Sequence, residues 1–188
     1  YVDHLNRTRT TIHPDVFYIE KKIDDTEIEV ALQYNDSYVE TVKTFANNIY
    51  TKEGGTHLTG FRSSLTRVIN DYAKKNKLIK DNETLTGDDV REGLTVVISV
   101  RLPEPQFEGQ TKAKLGTPEI RSLVESTTTT YFSYFLEENP DQAKKIIAKS
   151  SLSAKARLAA RAARDTVIRK GALDGLTLPG KLADCNSK

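Results

Sequence analysis

Between Glu27 and Tyr34 the chain alternates, with Ile28, Val30, Leu32 and Tyr34 on the even positions and Glu27, Glu29, Ala31 and Gln33 between them. A period of two sends one set of side chains to one face of a strand, so this segment needs partner strands and something to cover its apolar face. Val16–Ile23 and Tyr38–Asn48 on either side also have strand character. Asp24-Asp25 and Asn35-Asp36-Ser37 supply turn chemistry between them, which predicts a three-stranded antiparallel meander. Leu94–Leu102 is apolar and β-branched enough to be a buried central strand, and Pro103 and Pro105 end it.

Helical periods fill the remainder. After Gly54-Gly55-Thr56-His57, the apolar residues Leu58, Phe61, Leu65, Val68, Ile69 and Tyr72 fall at i, i+3, i+4, i+7 spacing, predicting a helix to about Lys75. Thr86-Gly87-Asp88-Asp89 reads as an N-cap with an acidic first turn, closed by Gly93. Gln106 to Gly116 reads as a loop. Thr117-Pro118-Glu119 and Asn139-Pro140-Asp141 are helix starts with Pro at the first position, and the second opens a helix of about thirty residues stopped near Gly171. Residues 1–15 are polar and reach an extended segment at His13-Pro14.

Charge is unevenly spread over the 188 residues. From Asp141 to Lys170 there are nine basic residues and two acidic ones, whereas the rest of the chain holds 19 basic and 24 acidic. An acidic body with one basic arm fits either a polyanion partner at the arm or a solvated helix face, since Lys and Arg are themselves good helix formers. Arg157, Arg161 and Arg164 recur at i, i+4, i+7 on a helix rich in alanine, so they point the same way and are spaced for successive phosphates. One cysteine excludes an internal disulfide framework, and three scattered histidines do not make a zinc site. No apolar run approaches the ~18 residues of a membrane helix. A soluble, cytoplasmic chain cut from something longer is the expectation, with no membrane partner.

Few local patterns carry chemistry. Gly175-Leu-Thr-Leu-Pro-Gly180-Lys181 imitates a phosphate loop, but Leu182 stands where Ser or Thr should meet the metal and no strand precedes it. His57 has no nucleophile beside it and reads as a helix-start or packing residue, and Cys185 as a structural thiol. Gln110-Thr111-Lys112 lies in a Gly-flanked loop between a buried strand and a helix start. An amide donor beside a flexible point charge there suits a terminal phosphate.

Four strings, in order, then carry a resemblance: Glu53-Gly-Gly-Thr-His-Leu-Thr-Gly-Phe61, Thr86-Gly-Asp-Asp-Val-Arg-Glu-Gly-Leu94, Pro105-Gln-Phe-Glu-Gly-Gln-Thr-Lys112 and Leu178-Pro-Gly-Lys-Leu-Ala-Asp-Cys185. Over its whole length the chain resembles the B subunits of bacterial type II DNA topoisomerases, DNA gyrase first and topoisomerase IV close behind. The resemblance implies the transducer domain, between an upstream ATPase domain and a downstream metal-binding (Toprim) domain. It implies an α/β fold like the second domain of a small-subunit ribosomal protein: a four-stranded mixed sheet with a left-handed βαβ crossover, then a long C-terminal helix. The expected organisation is an exit segment from the ATPase domain over 1–15, the α/β domain over 16–138, the long basic helix over 139–171 and a linker over 172–188.

By position, the resemblance makes Lys112 the catalytic contact to the ATP γ-phosphate, with Gln110 beside it. It also places Arg62 in the cavity through which double-stranded DNA passes. Arg157, Arg161 and Arg164 join as DNA contacts from the charge pattern. The implied cofactors are ATP, bound mainly by the upstream domain, and Mg2+ with no ligand in this chain. The implied partners are duplex DNA and the gyrase A subunit. The parent B subunit would dimerise on ATP, while this fragment would be a monomer without ATPase activity. Two other readings stand beside this one: a stand-alone nucleic-acid-binding module of the same fold, and the equivalent domain of a chaperone or mismatch-repair ATPase.

Overall fold

A mixed sheet with helices on it organises residues 1–153, the first of two compact units in the computed structural model; the second begins at Ala154. The structure describes residues 1–80 and 82–174, with side chains up to Val167. In chain order the elements are α1 (Val2–Asn6), β1 (Phe17–Ile23), β2 (Thr26–Tyr34), β3 (Thr41–Ala46), β4 (Ile49–Tyr50), α2 (Thr56–Lys75), α3 (Gly87–Arg91), β5 (Leu94–Arg101), β6 (Phe107–Glu108), β7 (Lys114–Leu115), α4 (Pro118–Glu138) and α5 (Pro140–Asp174).

The main sheet runs β1-β2-β5-β3-β4. β1 and β2 form the expected antiparallel hairpin, but the expected meander stops there. β5 inserts between β2 and β3, antiparallel to the first and parallel to the second. The reason lies in β5 itself. Leu94, Thr95, Val96, Ile98 and Val100 are all buried, so the strand needs a neighbour on each edge. The parallel β3–β5 pair needs a crossover, which α2 and α3 provide. Asn47 and Asn48, with φ of 47° and 64°, make the primed turn that cuts β3 short and sends the two-residue β4 back against it, giving five strands where four were expected.

One face of this sheet is the core. Phe17 pairs with Leu32 and Leu32 with Val96; Ile19 pairs with Val30 and Val30 with Ile98, all of them buried. α2 and α4 pack on each other and against this face, with the Phe17 ring edge-on to Phe132 at 5.2 Å. The two helices close up at Gly60, where an added Cβ would lie 2.2 Å from the Arg121 carbonyl oxygen. The start of α5 joins the same core through buried Ala143, Ile146 and Ile147. The first compact unit runs to Ser153, within α5. α5 is described to Asp174, three residues beyond the stop expected near Gly171.

Residues 1–15 are bound to the sheet by buried polar groups. Asn6 Nδ2 donates to Gln33 Oε1 at 2.9 Å, Thr95 Oγ1 donates to Asn6 Oδ1 at 2.7 Å, and Asn35 Nδ2 donates to Thr95 Oγ1 at 3.0 Å. His13 completes this network. Its Nε2 accepts the Tyr34 backbone N–H at 2.9 Å, so Nδ1 carries the proton it donates to the Asp15 carbonyl at 2.8 Å. Burial pushes the His13 pKa down, in keeping with that neutral tautomer.

Candidate functional site: a lysine hairpin and two groups of arginines

The loop expected at 106–116 is a small hairpin, β6 and β7, fixed at its base and exposed at its tip. Leu115 N–H donates to Gly54 O at 3.0 Å, Glu53 N–H to Ala113 O at 3.0 Å, and Gly116 N–H to Gln106 O at 2.7 Å. Gly55 pairs with Leu115 in a parallel bridge with φ of +138°; a Cβ on it would sit 2.2 Å from the Leu115 carbonyl oxygen. The glycine pair that starts α2 thus seats the hairpin directly on that helix. Thr117 holds the N-cap position of α4 without a side-chain cap bond; its Oγ1 accepts the Gln106 N–H at 2.9 Å, which ties the hairpin to α4 as well.

Gly109, Gln110, Thr111 and Lys112 form the exposed tip. Lys112 has a left-handed backbone, φ 52°, and its Nζ lies 5.9 Å from the centre of the Phe107 ring. Across the strands, Lys114 Nζ donates to Glu108 Oε2 at 2.8 Å. One ammonium and one side-chain amide are therefore presented on a short, firmly based projection, an arrangement able to donate to a single phosphate group.

Arg62 sits on α2, and the structure pairs it with an acid. Its Nη2 donates to Glu40 Oε2 at 2.6 Å and its Nε to Glu40 Oε1 at 3.3 Å. Arg91, at the end of α3, lies 3.7 Å from the same carboxylate and also donates to Asp88 Oδ1. Sequence reading missed Glu40 and Arg91 as companions of Arg62, since they are brought together only by the β3–α2–α3 crossover.

Arg157, Arg161 and Arg164 belong to the second unit, where α5 continues and residues 155–167 are all exposed. They share one helical face, as their spacing predicts. The strings at 175–181 and 178–185, with Cys185, lie outside the described residues.

His57 is fully buried at the start of α2, with Nε2 3.1 Å from Thr51 Oγ1, and desolvation lowers its pKa to about 4. It is a packed neutral imidazole, in line with the packing role read for it. Among the described residues no three His, Cys, Asp or Glu side chains converge on a metal position, and no helix is long and apolar enough to cross a membrane.

Comparison with known proteins gives one consistent family. The family model for DNA gyrase B matches residues 1–166. The chain is 56% identical over 189 aligned residues to the DNA gyrase B subunit of Enterococcus faecalis, covering 100% of this chain and 29% of that protein. It is 53% identical to the DNA gyrase B subunit of Bacillus mycoides, covering 100% of this chain and 47% of that one. The chain thus spans well under two thirds of these relatives. Among solved structures it is similar to the 43K ATPase domain of Thermus thermophilus gyrase B in complex with an aminocoumarin. That match has a TM-score of 0.82 and 40% identity, covering 88% of this chain and 44% of that one. It is also similar to the topoisomerase IV ATP-binding domain of Francisella tularensis, with a TM-score of 0.73 and 29% identity, covering 82% and 42%.

Proposed function

Because the chain belongs to the DNA gyrase B family, we propose that it is the transducer domain of an ATP-dependent type II DNA topoisomerase, coupling ATP turnover in a neighbouring domain to DNA strand passage and supercoiling. The observation that carries this reading is the hairpin: an exposed Gln110 and Lys112 on a base bonded to the start of α2. Such a projection can enter a neighbouring nucleotide site while its root stays on the body.

In this reading ATP supplies the γ-phosphoryl group whose transfer to water drives the cycle, and the neighbouring domain supplies the rest of its site. Lys112 brings a positive charge to the terminal phosphate, favouring the charge that develops on it, and Gln110 donates a hydrogen bond to orient it. The hairpin tip offers one ammonium and one amide, and we assign the contacts to base, ribose and Mg2+ to other parts of the parent. When the phosphate contact is lost the hairpin is released, and its seat on Gly54 and Gly55 passes the change to α2, which carries Arg62. Arg62 on the body and Arg157, Arg161 and Arg164 on α5 contact duplex DNA through phosphates, without sequence preference.

The finer parts of the reading are the left-handed β3–α2–β5 crossover, the 1–15, 16–138, 139–171 and 172–188 divisions, a monomeric and inactive fragment, and a cytoplasmic parent that dimerises on ATP and works with a gyrase A subunit. A topoisomerase IV B subunit is the nearest alternative. The test is ATP turnover by a gyrase B protein that includes the upstream domain. Lys112→Ala should cut kcat by about 100-fold, on the scale of one lost transition-state donor, with nucleotide binding largely kept. Unchanged turnover would remove Lys112 from the nucleotide site and leave nucleic-acid binding, for which the exposed arginine face of α5 is the supporting feature, as the role of this domain.

A further inference from the structure

Glu40 is shared by two guanidinium groups from different elements. It lies in the segment leading into β3; Arg62 comes from α2 and Arg91 from α3. Arg62 makes two hydrogen bonds to it, and Arg91 approaches the oxygen that Arg62 Nε also uses. The side chains are 37% exposed for Arg62, 22% for Arg91 and 21% for Glu40, so the cluster is open to solvent on one side. The same segment displays Tyr38 and Val39, 81% and 63% exposed, and Lys149 reaches its other end. Lys149 Nζ donates to the Asp36 carbonyl at 3.3 Å and lies 5.3 Å from the centre of the Tyr38 ring.

A carboxylate and a phosphodiester show an arginine fork the same two-oxygen edge. Arg62 grips both oxygens of such an edge, and Arg91 approaches one of them while its Nη2 donates to Asp88 Oδ1; together the two make a phosphate site whose place is held by an internal acid. Arg62 is more than a third exposed, so an incoming phosphate can reach its guanidinium and compete with the carboxylate. We propose that Glu40 is a latch on a DNA-phosphate site formed by Arg62 and Arg91: without DNA it holds both guanidinium groups, and a backbone phosphate displaces it and takes them over. This rests on the reading that Arg62 faces DNA, and adds Arg91 as a second contact and Glu40 as their competitor. The latch keeps the two arginines aimed when the site is vacant. It also weakens the grip on DNA, which suits a duplex that must pass and leave.

The experiment is binding of this chain to a labelled 25-base-pair duplex, followed by anisotropy between 50 and 200 mM salt. The variants are Glu40→Gln, Arg62→Ala, Arg91→Ala, the double variants Glu40→Gln/Arg62→Ala and Glu40→Gln/Arg91→Ala, and Glu119→Gln. Glu119 is an exposed acid on α4, and its variant is the charge-matched control. Thermal unfolding verifies that each variant is folded. Glu40→Gln should tighten binding by about 3- to 10-fold over Glu119→Gln. The slope of log affinity against log salt for Glu40→Gln should match the parent chain's, because the same two arginines meet phosphate in both complexes, whereas Arg62→Ala and Arg91→Ala should each lower the slope by about 0.9. The gain should shrink in each double variant. If Arg62→Ala weakens binding but Glu40→Gln does no more than Glu119→Gln, the latch is wrong and the DNA-facing reading of Arg62 stands. If Arg62→Ala binds as tightly as the parent chain, both fall. A gain from Glu40→Gln that survives loss of either arginine shows a bulk charge effect and overturns the latch.

Discussion

The hairpin around Lys112 and the α5 helix beyond Ala154 both present basic groups to solvent, by opposite means. Beneath the hairpin tip the backbone is bonded at Gly54, Ala113, Leu115 and Gly116, and Leu115 is fully buried. One ammonium is aimed by everything around its base. Along α5 from 155 to 167 every side chain is exposed on the helical repeat of an alanine-rich segment. The first arrangement suits a single ligand atom at a fixed place. The second suits a polyanion, where the number of charges matters more than the location of each. Coupling needs both: a contact specific enough to report one phosphate, and contacts loose enough for a duplex to move past.

The contrast breaks most visibly at the base of the hairpin. Gly55→Val should cost about 4 kcal/mol or more in urea unfolding, because the backbone is left-handed and the new side chain meets the Leu115 carbonyl. A loss below about 1 kcal/mol would mean that the base gives way, and the contrast with α5 would blur.

The next effect sharpens the same boundary through pH. His57 beside the hairpin base is buried with a pKa of about 4, and burial lowers His13 too. The unfolded chain takes up these protons near pH 6.5 while the folded chain resists them. Stability is therefore full above pH 6.5 and falls as the pH drops towards 4, by about 3 kcal/mol for His57 alone. His57→Gln should flatten most of that loss in melts at pH 4 to 7. Residues 154–174 contain no histidine, so helicity there should not follow the curve.

On the α5 side, replacing Arg157, Arg161 and Arg164 together by Gln should weaken duplex binding about 10-fold at low salt. It should also reduce the salt slope by up to about 2.7, at 0.9 for each phosphate contact. An unchanged slope in a salt titration removes this face from the DNA path. The mildest change is expected at the tip, where Lys112→Ala should shift folding stability by less than about 0.5 kcal/mol, since an exposed side chain is lost. A clear drop in the melting temperature would show that the lysine is structural.

Local patterns in the sequence carried much of this architecture. The alternation in β2 put Ile28, Val30, Leu32 and Tyr34 in the core, and the period of α2 buried Phe61, Leu65, Val68 and Ile69. Leu58 and Tyr72, at the edges of that stripe, are only half-buried. Thr86 and Asp89 form the cap expected of them, each bonding the other's backbone N–H. Non-local pairing was not legible. Nothing within residues 38–48 says that β3 will run parallel to β5, because that choice is settled by how many buried edges β5 must satisfy. The site divides in the same way: Gln110 and Lys112 stand out within one loop, whereas Glu40 and Arg91 meet Arg62 only after the crossover is folded.

Chemical footprinting of lysines reads the hairpin most directly, in a gyrase B protein that includes the upstream nucleotide domain, with an amine-acetylating reagent followed by mass spectrometry. If Lys112 contacts the γ-phosphate, a non-hydrolysable ATP analogue should protect it strongly and ADP should not, while exposed Lys52 reacts equally in both states. Equal labelling of Lys112 with the triphosphate and with ADP would contradict the assignment of this hairpin as the reader of the γ-phosphate.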